Sequence, residues 1–199
     1  MPTELTINVL WAALLGYGFG SIPFGLILTR MAGLGDVRAI GSGNIGATNV
    51  LRTGNKGLAA ATLLLDALKG FVPVWLAMRW FWDDAGWTAL FAVIGHCFPV
   101  WLKFKGGKGV ATNGGVAFGL GWPLGATYLL MWLAVLAITR ISSLAGMSAV
   151  VAAAIAAALL GEPTWTKVLA LIAALVLWLH RENIGRLLKG EEPKVGARK

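Results

Sequence analysis

The chain has 199 residues, of which 57% are hydrophobic and only 13% charged, with a mean hydropathy of +0.74 and a net charge of +8. A soluble domain carries about a quarter charged residues, so this composition excludes a water-facing globule and implies an all-α integral membrane protein of one domain. Its basic residues lie in short loops between apolar runs, where orientation in a bilayer accounts for them without nucleic acid; phosphate-bearing small molecules and the lipid bilayer are the expected partners.

The first apolar run, Leu5 to Leu28, is 24 residues long, enough to cross a hydrocarbon core of ~30 Å at 1.5 Å per residue. The residues before it lack a positive n-region, which predicts a retained helix rather than a cleaved signal peptide. Gly57 to Met78 is the second run. Trp87 to Leu102 is a shorter third, carrying His96 about two turns inside. Val110 to Thr139 is 30 residues, too long for one upright helix, and Gly119 to Pro123 offers a turn that would make it a hairpin. Ser143 to Leu160 and Trp165 to Leu179 complete a bundle of about seven transmembrane helices. Cys97 is the single cysteine, so neither an intramolecular disulfide nor a cysteine metal cluster is expected.

Charge distribution sets the expected sidedness. With the N-terminus outside and seven crossings, the inner segments hold Arg30, Arg38, Arg52, Lys56, Lys103, Lys105, Lys108, Arg140, Arg181, Arg186, Lys189, Lys194, Arg198 and Lys199. The outer ones hold only Arg79 and Lys167. The C-terminus is then cytoplasmic, and three glycine-rich polar stretches face the same side.

The first stretch, Gly41-Ser42-Gly43-Asn44-Ile45-Gly46-Ala47-Thr48-Asn49 with Arg52, matches G-x-G-x-x-G, but no strand precedes it and a dinucleotide site is excluded. Glycines still let backbone N–H groups approach an anion, and Arg52 adds a fork suited to phosphate. A flexible connector would not need so many uncharged donors. The second, Lys103 to Gly109, fails as a Walker loop because Gly109 stands where the magnesium-holding hydroxyl belongs. A loop anchor explains its lysines but not Gly106, Gly107 and Gly109. The third, His180-Arg181-Glu182-Asn183-Ile184-Gly185-Arg186, is richer than a boundary anchor requires, and Glu182 is expected to pair with a cation of the other stretches. Within the spans, Asp66 and Lys69 share a helix face and are expected to pair inside the bundle; His96 is expected to pack or bond to a neighbouring helix. Ser142 and Ser143 follow Arg140 at a depth that lets them join the pocket.

These motifs, in this order and over nearly the whole chain, resemble the bacterial acyl-phosphate:glycerol-3-phosphate acyltransferases of the PlsY type. Gly95-His96 through Pro99, Asp66-Ala67-Leu68-Lys69-Gly70 and Arg140-Ile141-Ser142-Ser143-Leu144 resemble lesser family segments. The resemblance implies one transmembrane acyltransferase domain over residues 1–199 in the bacterial inner membrane, with seven helices and the active site on the cytoplasmic side. The implied reaction joins acyl phosphate and sn-glycerol 3-phosphate into 1-acyl-glycerol 3-phosphate and phosphate, without metal, cofactor or obligatory protein partner. Catalytic roles fall by resemblance on Ser42, Arg52, His180 and Asn183. The resemblance also implies glycerol-3-phosphate binding by Gly106, Gly107, Lys108 and Gly109 and a structural role for Glu182; the residues' own chemistry adds Gly41, Gly43, Asn44, Lys105 and Ser143 as phosphate binders and Asp66, Lys69 and His96 as structural support.

An acyl phosphate already has a good leaving group, so the protein must hold two anions together, aim a hydroxyl and stabilise developing charge. No H-x-x-x-x-D dyad is available, since Trp101 follows His96 by five and Gly185 follows His180 by five. His180 is then either the general base or an orienting group while a substrate phosphate oxygen takes the proton; nearby cations, which lower a histidine pKa, favour the second. A Ser42 acyl-enzyme lacks an adjacent base. The competing class is a small-anion transporter coupling through Asp66, Lys69 and His96; clustering of the polar groups at one face and the absence of an inverted repeat weigh against it.

Overall fold

The computed structural model describes residues 2–196; Arg198 and Lys199 of the basic tail lie outside the described residues. All regular structure in that range is helical: α1 (Pro2–Gly20), α2 (Phe24–Met31), α3 (Ala47–Val50), α4 (Lys56–Trp80), α5 (Ala85–Cys97), α6 (Val110–Leu120), α7 (Trp122–Thr139), α8 (Ser142–Leu159), α9 (Pro163–Leu179) and α10 (Arg181–Leu188). Five segments are long and apolar enough to cross a bilayer: Asn8–Met31, Lys56–Trp80, Trp82–Leu102, Trp122–Thr139 and Ser142–Leu159. A sixth is α9 with α10, bent between them by 62°. The eleven residues of α6 span only about 16 Å at 1.5 Å per residue.

The molecule is apolar outside as well as inside. Leu64, Trp122, Leu130, Ile138 and Leu159 are exposed, as lipid-facing side chains would be, while the interior is lined by small residues. On α8 the buried positions Ala145, Ala149, Ala153 and Ala157 recur every fourth residue and meet α7 and α9, and Val151, Ile155 and Leu159 point outward. On α1, Gly16 and Gly20 form a small-xxx-small face, where an added Cβ would overlap the carbonyl oxygens of Thr88 and Ala92 on α5. Thr88 Oγ1 donates across that contact to the Ala12 carbonyl at 2.8 Å.

Two apolar runs divide, and at the first the freed carbonyls find distant partners. The run expected to be one helix over Leu5–Leu28 divides at Ser21–Pro23, because proline has no N–H to continue the ladder. The exposed carbonyls there are taken up by Lys69 Nζ, bonding Ile22 O at 2.7 Å, and Trp101 Nε1, bonding Ser21 O at 2.8 Å. Lipid could not have satisfied them. The Val110–Thr139 run divides at Gly121, as its Gly-Trp-Pro turn predicts, and α7 starts with Pro123 in its first turn. The third span departs from expectation: α5 stops at Cys97 because Phe98, preceding Pro99, leaves the helical region. His96 therefore lies in the last turn of α5, beside the following loop.

Candidate active site

The first polar stretch folds around one buried side chain. Asn49, 2% exposed, shares its two Nδ2 hydrogens among the carbonyls of Val37 (2.8 Å), Asn44 (2.8 Å) and, more distantly, Ile40 (3.1 Å). Its Oδ1 accepts from Ser42 N at 3.1 Å and Arg52 NH1 at 3.3 Å. Gly41 and Gly43 hold φ of 56° and 67°, where a side chain would be strained, so the loop turns back on this amide. Asn44 Oδ1 accepts from Gly46 N at 2.9 Å and sets up the start of α3. Upstream, Asp36 accepts from Arg38 Nε at 2.9 Å and from Arg30 at 3.2 Å. The Arg38 guanidinium holds that carboxyl far below the usual carboxylate range. Ser42 is left exposed at the loop crest, with Arg52 exposed beside it.

The second stretch begins with Lys103 and Phe104 at φ of 52° and 61° and ends with Gly109 at 83°, the residue preceding α6. Between them the chain returns onto the end of α5: Gly106 N donates to Cys97 O at 3.0 Å and Gly107 N to His96 O at 2.9 Å. These bonds satisfy carbonyls that a helix end leaves open. Lys105 stays exposed, whereas Lys108 is turned inward and donates from Nζ to Asn183 Oδ1 at 2.5 Å. Burial pulls the Lys108 ammonium below its ordinary pKa, against the opposing field of Glu182.

The third stretch follows the 62° bend at His180. The ring is 4% exposed, and Nδ1 lies 2.7 Å from the Val176 carbonyl oxygen. A carbonyl can only accept, so Nδ1 carries the proton, and the Nε2 lone pair has no hydrogen-bond partner among the described residues. Burial lowers the imidazole pKa below 6.5, assisted by Lys108, so the neutral ring prevails at neutral pH. Asn183 and Arg186 then converge on Glu192, a residue the sequence reading did not single out. Its carboxylate accepts from Ser143 Oγ at 2.6 Å, Asn183 Nδ2 at 2.5 Å and Arg186 Nε at 2.7 Å. Burial alone would raise the Glu192 pKa; those three donors outweigh it and leave the group below its ordinary value. The tail that carries Glu192 is stapled to Arg140, whose carbonyl accepts from Val195 N at 2.7 Å and whose guanidinium donates to Val195 O at 3.0 Å.

The second and third stretches thus meet directly through Lys108 and Asn183. The first joins them through Thr48 Oγ1, 3.2 Å from Ser142 Oγ at the start of α8. All three lie at one end of the bundle. Glu182 stands exposed in the first turn of α10, and the carboxylate inside the cluster is that of Glu192. Asp66 and Lys69 pair at 2.6 Å, both almost wholly buried, with His96 Nδ1 3.8 Å from Asp66 Oδ1. Two residues beyond Lys108, an apolar groove of about 330 Å3 opens between α4, α6 and α7, lined by Leu64, Ala67, Phe71, Ala111, Phe118 and Trp132 among others. One end of the molecule therefore sets a cluster of hydrogen-bond donors beside an apolar, lipid-compatible cleft, the arrangement of an integral membrane protein with a polar site bordering the bilayer.

Comparison with known proteins gives that class a family. The family model described as glycerol-3-phosphate acyltransferase matches residues 10–190. A protein of that name from Erythrobacter litoralis is 72% identical over 185 residues, covering 93% of this chain and 94% of the relative. Another from Maricaulis maris is 59% identical over 198 residues, covering 99% and 91%. Among solved structures, the glycerol 3-phosphate form of PlsY (YgiH), an integral membrane glycerol 3-phosphate acyltransferase, superposes with a TM-score of 0.89. It shares 39% identity and covers 94% of this chain and 96% of that one. The lysophosphatidic acid form gives 0.87 at 38% identity. The chain belongs to the glycerol-3-phosphate acyltransferase family.

Proposed function

We propose that this glycerol-3-phosphate acyltransferase uses acyl phosphate as its donor, forming 1-acyl-glycerol 3-phosphate and inorganic phosphate in the first step of bacterial phospholipid synthesis. The observation that carries the reading is the junction at Lys108–Val110, where the donor cluster meets the apolar groove. Glycerol 3-phosphate held at the Lys108 side of that junction would there meet an acyl tail lying in the groove. Lys108, Asn183, Ser143 and Arg186, with the glycines of the second stretch, would hold the phosphate of glycerol 3-phosphate; Arg52, Ser42 and the N–H groups of the first stretch would hold that of the acyl phosphate. Glu192 keeps the first set of donors in place until substrate oxygens share them.

In the reaction the glycerol hydroxyl oxygen bonds to the acyl carbon, the C–O bond to phosphate breaks, and the hydroxyl proton leaves with the phosphate. The free Nε2 lone pair of His180 suits acceptance of a hydrogen bond from that hydroxyl, aiming it at the carbonyl. A ring made less basic by burial is better fitted to orient the hydroxyl than to keep its proton, which goes to a substrate phosphate oxygen. The transporter alternative loses its coupling groups, because Asp66, Lys69 and His96 are packed inside helix contacts rather than along the groove.

We place the site on the cytoplasmic side of the bacterial inner membrane, with the N-terminus outside and seven crossings, α6 being the seventh; the basic loops support this orientation. Purified protein given palmitoyl phosphate and glycerol 3-phosphate should release phosphate only when both are present. Transfer from an acyl thioester at an equal rate, or no release with both substrates, would overturn the donor assignment.

A further inference from the structure

The groups buried beneath the second polar stretch do more than fill the membrane interior. His96 is 3% exposed in the last turn of α5, and its ring lies directly under Gly107. A Cβ placed on Gly107 would overlap Nε2 and come within 2.6 and 2.8 Å of Cε1 and Cδ2. The same residue's N–H bonds the His96 carbonyl at 2.9 Å, so ring and main chain fix Gly107 from two directions. Behind the ring, Asp66 Oδ1 lies 3.8 Å from Nδ1 and 2.6 Å from Lys69 Nζ, which in turn bonds Ile22 O at the break between α1 and α2. Lys108, the next residue after Gly107, reaches Asn183.

We propose that the His96 imidazole, backed by Asp66 and Lys69, is the seat that sets the height of the Gly106–Gly109 loop and so places Lys108 for the substrate phosphate. His96 is a positioning residue: it touches the loop, not the reacting atoms. A change in its shape moves the cation that holds the anion, and binding of glycerol 3-phosphate should suffer more than turnover. The inference rests on the acyltransferase reading for its kinetic readout, and on glycerol 3-phosphate binding for a readout that needs no turnover.

The test is a pair of double-variant comparisons scored by KM for glycerol 3-phosphate and by the ligand's stabilisation of the purified protein against heat. G107A should raise KM about thirtyfold with kcat within about threefold, because a seat affects binding rather than chemistry. H96A in the same chain removes the ring that the new methyl strikes, and G107A/H96A should recover roughly fivefold or more over G107A, a coupling that neighbours in contact produce. G106A is the control: its methyl would meet the His96 carbonyl and Pro99 Cδ, neither of which H96A removes, so no recovery is expected. H96A alone leaves Asp66 and Lys69 paired and should fold, raising KM about fivefold. Additive losses in G107A/H96A, equal recovery of G106A, or an unchanged KM in folded H96A would each overturn the seat. Should the parent protein bind glycerol 3-phosphate but transfer nothing, the acyltransferase reading fails while the same pattern in heat stabilisation still decides the seat.

Discussion

The first polar loop and the Lys108–Asn183–Glu192 cluster hold their donors in opposite ways. In the first loop one neutral, buried amide satisfies main-chain groups within twelve residues of itself, so the loop's shape is set locally and without charge. In the second, a carboxylate gathers a hydroxyl, an amide and a guanidinium, and the Ser143 hydroxyl is 49 residues away along the chain. The amide-centred loop is a rigid frame. The carboxylate-centred cluster instead gathers its donors around a charge, and under the proposed function those donors would be shared with phosphate oxygens.

The largest effect should come from breaking the frame. N49A removes the partner of three carbonyls and two donors in a buried place, and should cost about 3 kcal/mol of stability. Activity in the folded fraction should fall by roughly two orders of magnitude if the loop positions Arg52. A loop that merely connects helices would leave the activity of the folded fraction near that of the parent protein, and thermal unfolding beside specific activity separates the outcomes.

E192Q should have an intermediate effect and acts on the other half of the comparison. Because the native Glu192 pKa lies below its ordinary 4.5, the native state binds fewer protons than the unfolded chain in that window. The contribution is present above pH 4.5 and is lost as pH falls through the lowered native value. E192Q should remove that acid-side loss and raise KM for glycerol 3-phosphate about tenfold at pH 7, as expected when Arg186 and Lys108 lose their countercharge. A parent-like acid unfolding profile in E192Q would show that the carboxylate does not organise the cluster.

The smallest and most discriminating change is H180Q. Native His180 resists protonation below pH 6.5, so stability from this group falls as pH drops from 6.5 towards the lowered native pKa, and activity should be flat above 6.5. Glutamine can still offer a hydrogen-bonding group to the substrate hydroxyl but cannot take its proton. H180Q should keep about a tenth of kcat and lose the acid limb, the outcome for an orienting role. A fall to the level of the uncatalysed reaction would instead make His180 the proton acceptor.

Much of this arrangement is legible from residues alone. The apolar runs mark helices because a bilayer leaves the backbone no other partner, and the division at Gly121 follows from Gly-Trp-Pro. The break at Ser21–Pro23 was not legible: the run stays apolar, and the groups that make the break tolerable, Lys69 and Trp101, lie 47 and 80 residues further on. Asn49 was visible only as one donor among several, since nothing local distinguishes an amide that will be buried from one that faces water. Glu192 was passed over because a tail of lysines, glutamates and a proline reads as solvated chain. Its carboxylate gains a purpose only when Arg140 staples Val195 and folds that tail back.

Sequence by itself determined the membrane class, the helical fold and the three glycine-rich polar stretches, because those rest on composition and on the local properties of glycine, proline and charge. Tertiary structure alone decided that Lys108 meets Asn183, that Glu192 closes the cluster, and that Gly107 lies against His96. Those contacts join residues far apart in the chain, and only packing forced by small residues at the helix interfaces brings them within hydrogen-bonding distance.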